Sequence, residues 1–400
     1  MTTNFMTRRR LLGAGLCGAL VAPACAAGDA APPSRPALRV GAGQPFARLA
    51  DALRQAVDGD TIEVLPGTYA GDVAVINQRR LTLRGMGERP VLLADGKYAE
   101  GKAILVVRNG HIVIENFEFR GTRVPDRNGA GIRFEKGMLT VRNCQFIDNE
   151  NGILTANFGD ARLHIEDSLF AQAPDRPDSL DHLIYVGRIA EVQISGSRFH
   201  QGRTGNLIKS RARVSRITYN LIADGPKGEA SYEIDLPNGG QAVVIGNVIA
   251  QSANSQNAIL VSFGAEGQPW PGSALYMAHN TLVNDRLRGA WFLRVWRDRL
   301  PDGTPVHLYN NLSVGPGLFT LGVLGGPTEE GGNFAILKPQ LVDPDQLNHA
   351  LPPDSGLRGK AVPLPILDGV DLRPTAEFTL PIGTRPLAPR ERWSPGAFQR

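Results

Sequence analysis

The chain has 400 residues and a formal net charge of +4, with 42% hydrophobic and 20% charged residues, as is ordinary for a folded soluble protein. Its basic residues do not gather into a stripe of the kind that binds nucleic acid. The sequence also has no glycine-rich phosphate loop, no zinc-binding Cys/His spacing and no nucleophile-elbow motif. Nucleic-acid binding, nucleotide chemistry and zinc chemistry therefore receive no support, and the 46 glycines indicate many tight turns.

Residues 1–26 are predicted to be a twin-arginine signal peptide. Three arginines at positions 8–10 precede an apolar run, and small residues at positions 24–26 suit cleavage. A single-pass anchor and a lipid-modified Cys25 are the alternatives. Cleavage removes three arginines and no acidic residue, which lowers the net charge from +4 to +1. We therefore expect a nearly neutral protein, periplasmic or secreted and free of the membrane, that begins with an Ala/Pro-rich linker at 27–37.

The segment after the linker predicts a helical cap. Residues 45–57 carry Phe46, Leu49, Leu53 and Val57 at helical spacing. Such a helix would cover the open end of a solenoid, whose first strand otherwise exposes unpaired backbone groups. Residues 59–69 (GDTIEVLPGTY) then resemble the opening turn of many right-handed parallel β-helix proteins, especially those that act on polysaccharides.

A short phrase, apolar-x-x-(small or Asn)-x-apolar, returns at intervals of roughly 23 to 33 residues. Its copies begin at residues 114, 141, 165, 194, 217, 244 and 277, with a weaker copy at 308. Each unit is strand-like, so the repeat predicts an all-β, right-handed parallel β-helix over 38–314. Residues 315–400, where prolines become frequent, are expected to pack as an irregular C-terminal strap. Cys144 occupies the small position of one phrase, which favours a buried turn residue over a nucleophile.

Strand alternation predicts which side chains point outward from the coils. Tyr185 lies nine residues before one phrase, Lys209 eight before the next and Asp235 nine before the third. These three residues should therefore form one outward column on consecutive coils, with rungs about 4.8 Å apart. Arg133 would extend the column two coils earlier, and Ser262 would extend it one coil later.

This column suits β-elimination in a uronic-acid polymer. The reaction needs a cation that neutralises the sugar carboxylate, a base that removes the neighbouring proton, and an acid that helps the leaving oxygen. Lys209 and Arg211 could neutralise the carboxylate, or one of them could be the base. Tyr185, or His182 at the start of its strand, could be the acid or the base. The predicted catalytic group is therefore Lys209, Arg211, Tyr185 and His182.

Further polar residues near the column are predicted to bind the substrate, an acidic polysaccharide: Arg133, Asn206, Asp235, Glu233 and Asn238. Glu233 and Asp235 should point outward from one strand, where their oxygens could orient a cation or recruit Ca²⁺. An ordinary set of cross-strand ion pairs is the alternative interpretation of such a surface.

Residues 206–252 resemble the central coils of β-helical polysaccharide lyases of the alginate lyase and chondroitinase B type. The shared features are a Lys-Ser pair at 209–210, an Asn-x-Ile turn at 220–222 and a Gly-Asn pair at 246–247. The resemblance implies that Lys209 is the catalytic base and that the nearby acids are Ca²⁺ ligands. The family's arginine in the strand before Gly-Asn has no counterpart, because Leu-Pro-Asn-Gly stands at 236–239.

Three other functions remain open at this point. A glycoside hydrolase could use Glu233 and Asp235, whose carboxyl groups would lie roughly 6–7 Å apart on one strand face, at the border of an inverting pair. A C5-epimerase would share the proton abstraction and leave the chain length unchanged. A non-catalytic binding or assembly factor would use the column only to contact sugars. In each case we expect a monomer.

Overall fold

A computed structural model describes residues 35–176 and 180–400, so the signal peptide predicted for 1–26 lies outside the described residues. The described chain winds into a right-handed parallel β-helix with three parallel sheets, as the repeat predicts. Each coil adds one strand to each sheet. Within the described residues, no helix is long and apolar enough to cross a membrane.

The three sheets are built from short strands that recur in the same order along the chain. The first sheet contains Leu38–Val40, Thr61–Val64, Arg80–Gly85, His111–Glu115, Met138–Arg142, Arg162–Glu166, Glu191–Ser195, Val214–Thr218, Gln241–Ile245, Ala274–Ala278, Val306–Tyr309 and Thr328–Gly331. The second sheet contains Ala74–Ile76, Ala103–Val107, Ala130–Phe134, Asn151–Thr155, Ile184–Val186, Ile208–Ser210, Ile234–Leu236, Ile259–Phe263, Ala290–Val295 and Gly317–Leu321. The third sheet contains Thr68–Ala70, Val91–Leu93, Glu118–Arg120, Gln145–Ile147, Leu169–Ala171, Arg198–His200, Leu221–Ala223, Val248–Gln251, Thr281–Asn284, Leu312–Val314 and Phe334–Ile336.

A short helix, Leu49–Gln55, packs on the first coils. Its buried face consists of Leu49, Ala52 and Leu53. The backbone N–H of Leu49 donates to Asp72 Oδ2 at 2.6 Å, which satisfies a free donor of the first turn. The helix is shorter than the predicted 45–57. Val57 lies beyond its end and is 49% exposed, and its N–H donates to Asp60 Oδ2 at 2.9 Å in the turn before the next strand.

The small or Asn position of the repeat phrase forms a polar ladder inside one corner of the solenoid. Its members are Asn220, Asn247, Asn280, Asn311 and Asn333, and each Nδ2 donates to the next Oδ1 at 3.0 Å. Earlier coils place Cys144, Ser168 and Ser197 there. Burial raises the pKa of the Cys144 thiol to about 12, which fits the predicted turn residue.

The last position of the phrase forms an aromatic stack in the core. Phe119, Phe146, Phe170 and Phe199 lie in register on the third sheet. Successive ring centroids are 5.0, 4.6 and 4.9 Å apart, with the rings within 7° of parallel. Identical side chains at identical positions therefore tie neighbouring coils together.

The coils continue beyond the predicted boundary at residue 314, because the last strand of each sheet falls between 317 and 336. The remaining chain has the 3₁₀ turns Lys338–Gln340 and Pro344–Gln346 and two hairpins, Ile366–Leu367 with Val370–Asp371 and Ala376–Phe378 with Thr384–Pro386. A third 3₁₀ turn, Arg297–Arg299, lies within the coils.

The C-terminal strap packs on two of the three sheets. Val370 and Leu372 cover outward residues of the first sheet such as Tyr276. Phe378 and Phe398 cover outward residues of the third sheet. Neither of these two clusters includes a residue of the second sheet. The second sheet carries the predicted column, and the strap therefore leaves that column uncovered.

Candidate functional site

The register of the second sheet aligns the residues of the predicted column. Tyr185 pairs with Lys209, Lys209 with Asp235, and Asp235 with Ser262 on successive coils. The strand Ile208–Ser210 buries Ile208 and Ser210 and turns Lys209 outward, as alternation requires. Side chains far apart in the sequence therefore meet on one face.

Lys209 lies between two carboxylates. Its Nζ is 2.7 Å from Glu266 Oε1 and 3.3 Å from Asp235 Oδ2. Asn206 Nδ2 donates to the same Asp235 oxygen at 3.1 Å. Burial raises the pKa of Asp235, although the neighbouring Lys209 opposes the shift. The predicted residues Lys209, Asp235 and Asn206 thus form one hydrogen-bonded unit.

Arg211 connects this unit to the phenol. Its Nε donates to Tyr185 Oη at 3.0 Å, and its Nη1 donates to Asn238 Oδ1 at 3.1 Å. Nη1 also makes an ion pair with Glu266 Oε2. The indole of Trp270 donates to the Arg211 carbonyl at 2.9 Å. Two of the five guanidinium hydrogens therefore hold the orientation of Tyr185 and Asn238.

His182 stacks on the Tyr185 ring, with centroids 5.4 Å apart. Its Nδ1 accepts the backbone N–H of Asn206 at 2.8 Å, so the neutral ring carries its proton on Nε2. Burial, together with the charges of Lys209 and Arg211, lowers the pKa of His182 to about 3. The imidazole is therefore neutral at physiological pH.

Glu266 belongs to this cluster, and the sequence interpretation missed it. It lies on residues 264–273, which connect the strands Ile259–Phe263 and Ala274–Ala278. Burial works to raise its pKa, but hydrogen bonds and charges from Lys209 and Arg211 outweigh this and lower it. The sequence feature that could have identified it is an acidic residue four positions after Ser262. That residue lies on the connection after the strand, outside the column.

The expectation that Glu233 points into an accessible site is wrong. Its side chain is fully buried, and neither carboxylate oxygen has a hydrogen-bond partner. Its electrostatic neighbours are Asp224 and Arg286 instead of the column residues. Burial, reinforced by Asp224, raises the pKa of Glu233 well above its usual range. Asp235 and Glu233 therefore do not form an exposed carboxylate pair.

Replacing Glu233 by glutamine is expected to stabilise the fold increasingly as the pH rises. The pKa of Glu233 is higher in the folded state than in the unfolded state, where it is about 4.3, so protonated Glu233 stabilises the fold fully below that unfolded value. This stabilisation is lost as the pH rises towards the folded-state pKa. The variant removes that loss. Urea unfolding at pH 5 and pH 8 should therefore show a larger gain at pH 8. An equal offset at both pH values for Glu233→Gln would contradict the account.

The donor set does not fit the calcium site implied by the resemblance. Calcium takes about six to eight oxygen ligands. One oxygen of Asp235 is bound to Lys209 and Asn206, and Glu233 is enclosed away from them. Over residues 35–176 and 180–400, no group of three or more His, Cys, Asp or Glu side chains could hold a metal ion. We therefore derive no step through calcium.

Arg133 lies on the same column but apart from the cluster. Leu154 stands between Arg133 and Tyr185 in the register. The Nε of Arg133 is buried without a hydrogen-bond partner, and burial lowers the pKa of its guanidinium. Its backbone lies two rungs, about 10 Å, from that of Tyr185, although the Tyr185 charge still acts on its guanidinium.

A separate cavity of about 420 Å³ lies between the strap and the coils. His279, Arg373, Arg392 and Trp393 are among its lining residues. It contains none of the column residues, so it is a different feature from the cluster around Lys209.

Comparison with known proteins shows the fold. No protein-family model matches the sequence, and no curated protein matches it. The crystal structure of pectate lyase Pel9A has a TM-score of 0.62 at 13% identity, covering 91% of this chain and 97% of that chain. An alginate lyase from Paenibacillus sp. str. FPU-7 has a TM-score of 0.41 at 16% identity, with 71% and 95% covered. A pectin methylesterase from Aspergillus niger has 0.33 at 14%, with 76% and 87% covered. The chain therefore shares the parallel β-helix fold of pectate lyase Pel9A.

Proposed function

We propose that this protein cleaves a uronic-acid-containing polysaccharide by β-elimination at the cluster around Lys209. The observation that carries the proposal is the contact of two cations, Lys209 and Arg211, with a shared carboxylate beside the phenol of Tyr185. The structural similarity to a pectate lyase supports the same class of substrate. A long face of parallel strands also suits an extended polymer.

The residues supply the groups that the reaction needs. Lys209 and Arg211 neutralise the sugar carboxylate and stabilise the negative charge that develops next to it. The base removes the proton on the carbon beside the carboxylate, the electron pair forms a C=C bond, and the glycosidic C–O bond breaks. The leaving oxygen then takes up a proton. One of the two fragments therefore ends in an unsaturated uronate, and no water is consumed.

We assign the proton transfers to Tyr185. Arg211 Nε donates to its oxygen, which holds that oxygen beside the two cations that would bind the sugar carboxylate. The same phenol can then protonate the leaving oxygen. Lys209 acts as an ammonium in its two ion pairs, although the resemblance implies that it is the base. His182 positions the Tyr185 ring by stacking, because its Nδ1 is occupied and its ring is neutral.

The enclosure of Glu233 weakens the hydrolase alternative. It required Glu233 and Asp235 as an accessible pair, and Glu233 is enclosed. An epimerase and a binding protein would both use the same cations, so product analysis must distinguish them. The signal peptide proposed for residues 1–26 would bring the enzyme to polysaccharides outside the cytoplasm, and accumulation of the uncleaved precursor in the cytoplasm would contradict that localisation.

Digestion of a panel of acidic polysaccharides, followed by mass spectrometry and ultraviolet absorbance, tests the reaction. We expect products that absorb as unsaturated uronates and are lighter by one water than hydrolysis products. Saturated products with new reducing ends would identify a hydrolase. Polymer of unchanged length with altered sugar stereochemistry would identify an epimerase, and unchanged bound polymer would identify a binding protein.

A further inference from the structure

One carboxylate of the protein itself forms ion pairs with both cations of the proposed site. Glu266 Oε1 is 2.7 Å from Lys209 Nζ, and its Oε2 pairs with Arg211 Nη1. The Glu266 side chain is 38% exposed, whereas those of Lys209 and Arg211 are 13% and 20% exposed. Glu266 therefore lies on the solvent side of the cations, where a carboxylate from outside would approach.

The backbone that carries Glu266 is anchored on the neighbouring coil. Its N–H donates to the Pro237 carbonyl at 3.0 Å, and the Trp270 N–H donates to the Asn238 carbonyl at 3.1 Å. Asn238 Nδ2 also donates to the Gly267 carbonyl at 2.6 Å. The backbone can therefore stay in place while the flexible Glu266 side chain rotates away.

The ionised groups of the cluster balance in the absence of a ligand. Lys209 and Arg211 supply two positive charges, and Asp235 and Glu266 supply the neighbouring carboxylates. If a neutral sugar displaced Glu266, it would leave two largely buried cations short of a partner, which is costly. A sugar carboxylate can replace Glu266 one for one, whereas a methyl ester cannot.

We propose that Glu266 is a resident substitute for the substrate carboxylate and that it selects free uronates over esterified or neutral sugars. This inference rests on the proposed function for the substrate class. It adds a specificity-determining residue whose displacement accompanies binding. Because Glu266 competes with the substrate, its charge lowers the affinity for uronates and prevents ligands that cannot pair with both cations from entering.

Glu266→Gln keeps the size of the side chain and removes the competing charge. We expect its affinity for the bound polyuronate to rise about tenfold, the effect of one weakened ion pair. The gain should shrink at high salt, because the variant cluster has one more net positive charge and salt screens its attraction for the anionic ligand. Affinity for the methyl-esterified ligand should rise by more than this, because the resident carboxylate no longer excludes it, so the ratio of acid to ester affinity should fall in the variant; a ratio that stays constant or rises would contradict the selection.

Calorimetric titration with a panel of oligouronates and their methyl esters measures these affinities at low and high salt. Asp298→Asn is the matched control, because it removes the same charge from a 75% exposed side chain that pairs with Arg299, whose guanidinium donates to the Ala265 carbonyl on residues 264–273. Its affinities should match those of the unaltered protein. Equal or weaker uronate binding by Glu266→Gln, with the fold intact by circular dichroism, would overturn the inference. Binding of no oligouronate by either protein would contradict the proposed function itself as well.

Discussion

Tyr185→Phe is expected to lower the rate of elimination by about 10²–10⁴-fold, the usual contribution of a positioned proton-transfer group. The change removes one oxygen, which accepts from Arg211 Nε at 3.0 Å. The ring can keep its stacking on His182, so binding of the polymer should be almost unchanged. Initial rates from unsaturated-product absorbance, together with calorimetric affinities, separate the two effects.

Two further variants make this result specific. Tyr98→Phe removes a hydroxyl from a 38% exposed tyrosine on an earlier coil and should leave the rate unchanged. Lys209→Arg keeps the positive charge but replaces the amine. If Tyr185→Phe retains full activity while Lys209→Arg is inactive, the base is Lys209, as the resemblance implies, and our assignment of Tyr185 is wrong.

The largest expected loss of stability follows from truncating the aromatic stack. Phe170→Ala should lower the free energy of unfolding by about 3–5 kcal/mol, because it removes a buried ring and leaves a cavity. Phe170 contacts Phe146 on one side and Phe199 on the other, with centroids 4.6 and 4.9 Å away. The substitution therefore weakens two interfaces between coils at once.

Urea denaturation followed by circular dichroism measures this effect. Phe158→Ala provides the control, since that ring is 46% exposed, and its expected cost is within about 0.5 kcal/mol. A cost below about 1 kcal/mol for Phe170→Ala would show that the stack does not hold neighbouring coils together.

The coils were predictable because the repeat phrase corresponds to one physical unit. Its small or Asn position is the internal ladder that includes Asn247, and its final apolar position is the stack that includes Phe170. Counting back from the phrase also aligned Tyr185, Lys209 and Asp235, because parallel coils repeat the same register. A regular solenoid thus converts sequence spacing into neighbours in space.

The remaining features depend on segments that do not repeat. Glu266 reaches Lys209 only because residues 264–273 fold back over the previous coil, and no period specifies that path. Alternation predicted the outward direction of Glu233, but it could not show that the side chain would be enclosed there. The end of the coils was placed too early because the last strands, such as Thr328–Gly331, lack the phrase.

A crystal structure of Tyr185→Phe with a bound oligouronate tests the central claim most directly. We predict that the sugar lies along the second sheet, with one carboxylate within hydrogen-bond distance of Lys209 and Arg211 and with the Glu266 side chain displaced. The carbon that loses its proton should face the position of the missing phenol oxygen. An oligouronate bound instead in the cavity lined by His279 and Trp393, with the ion pairs of Glu266 intact, would contradict the account.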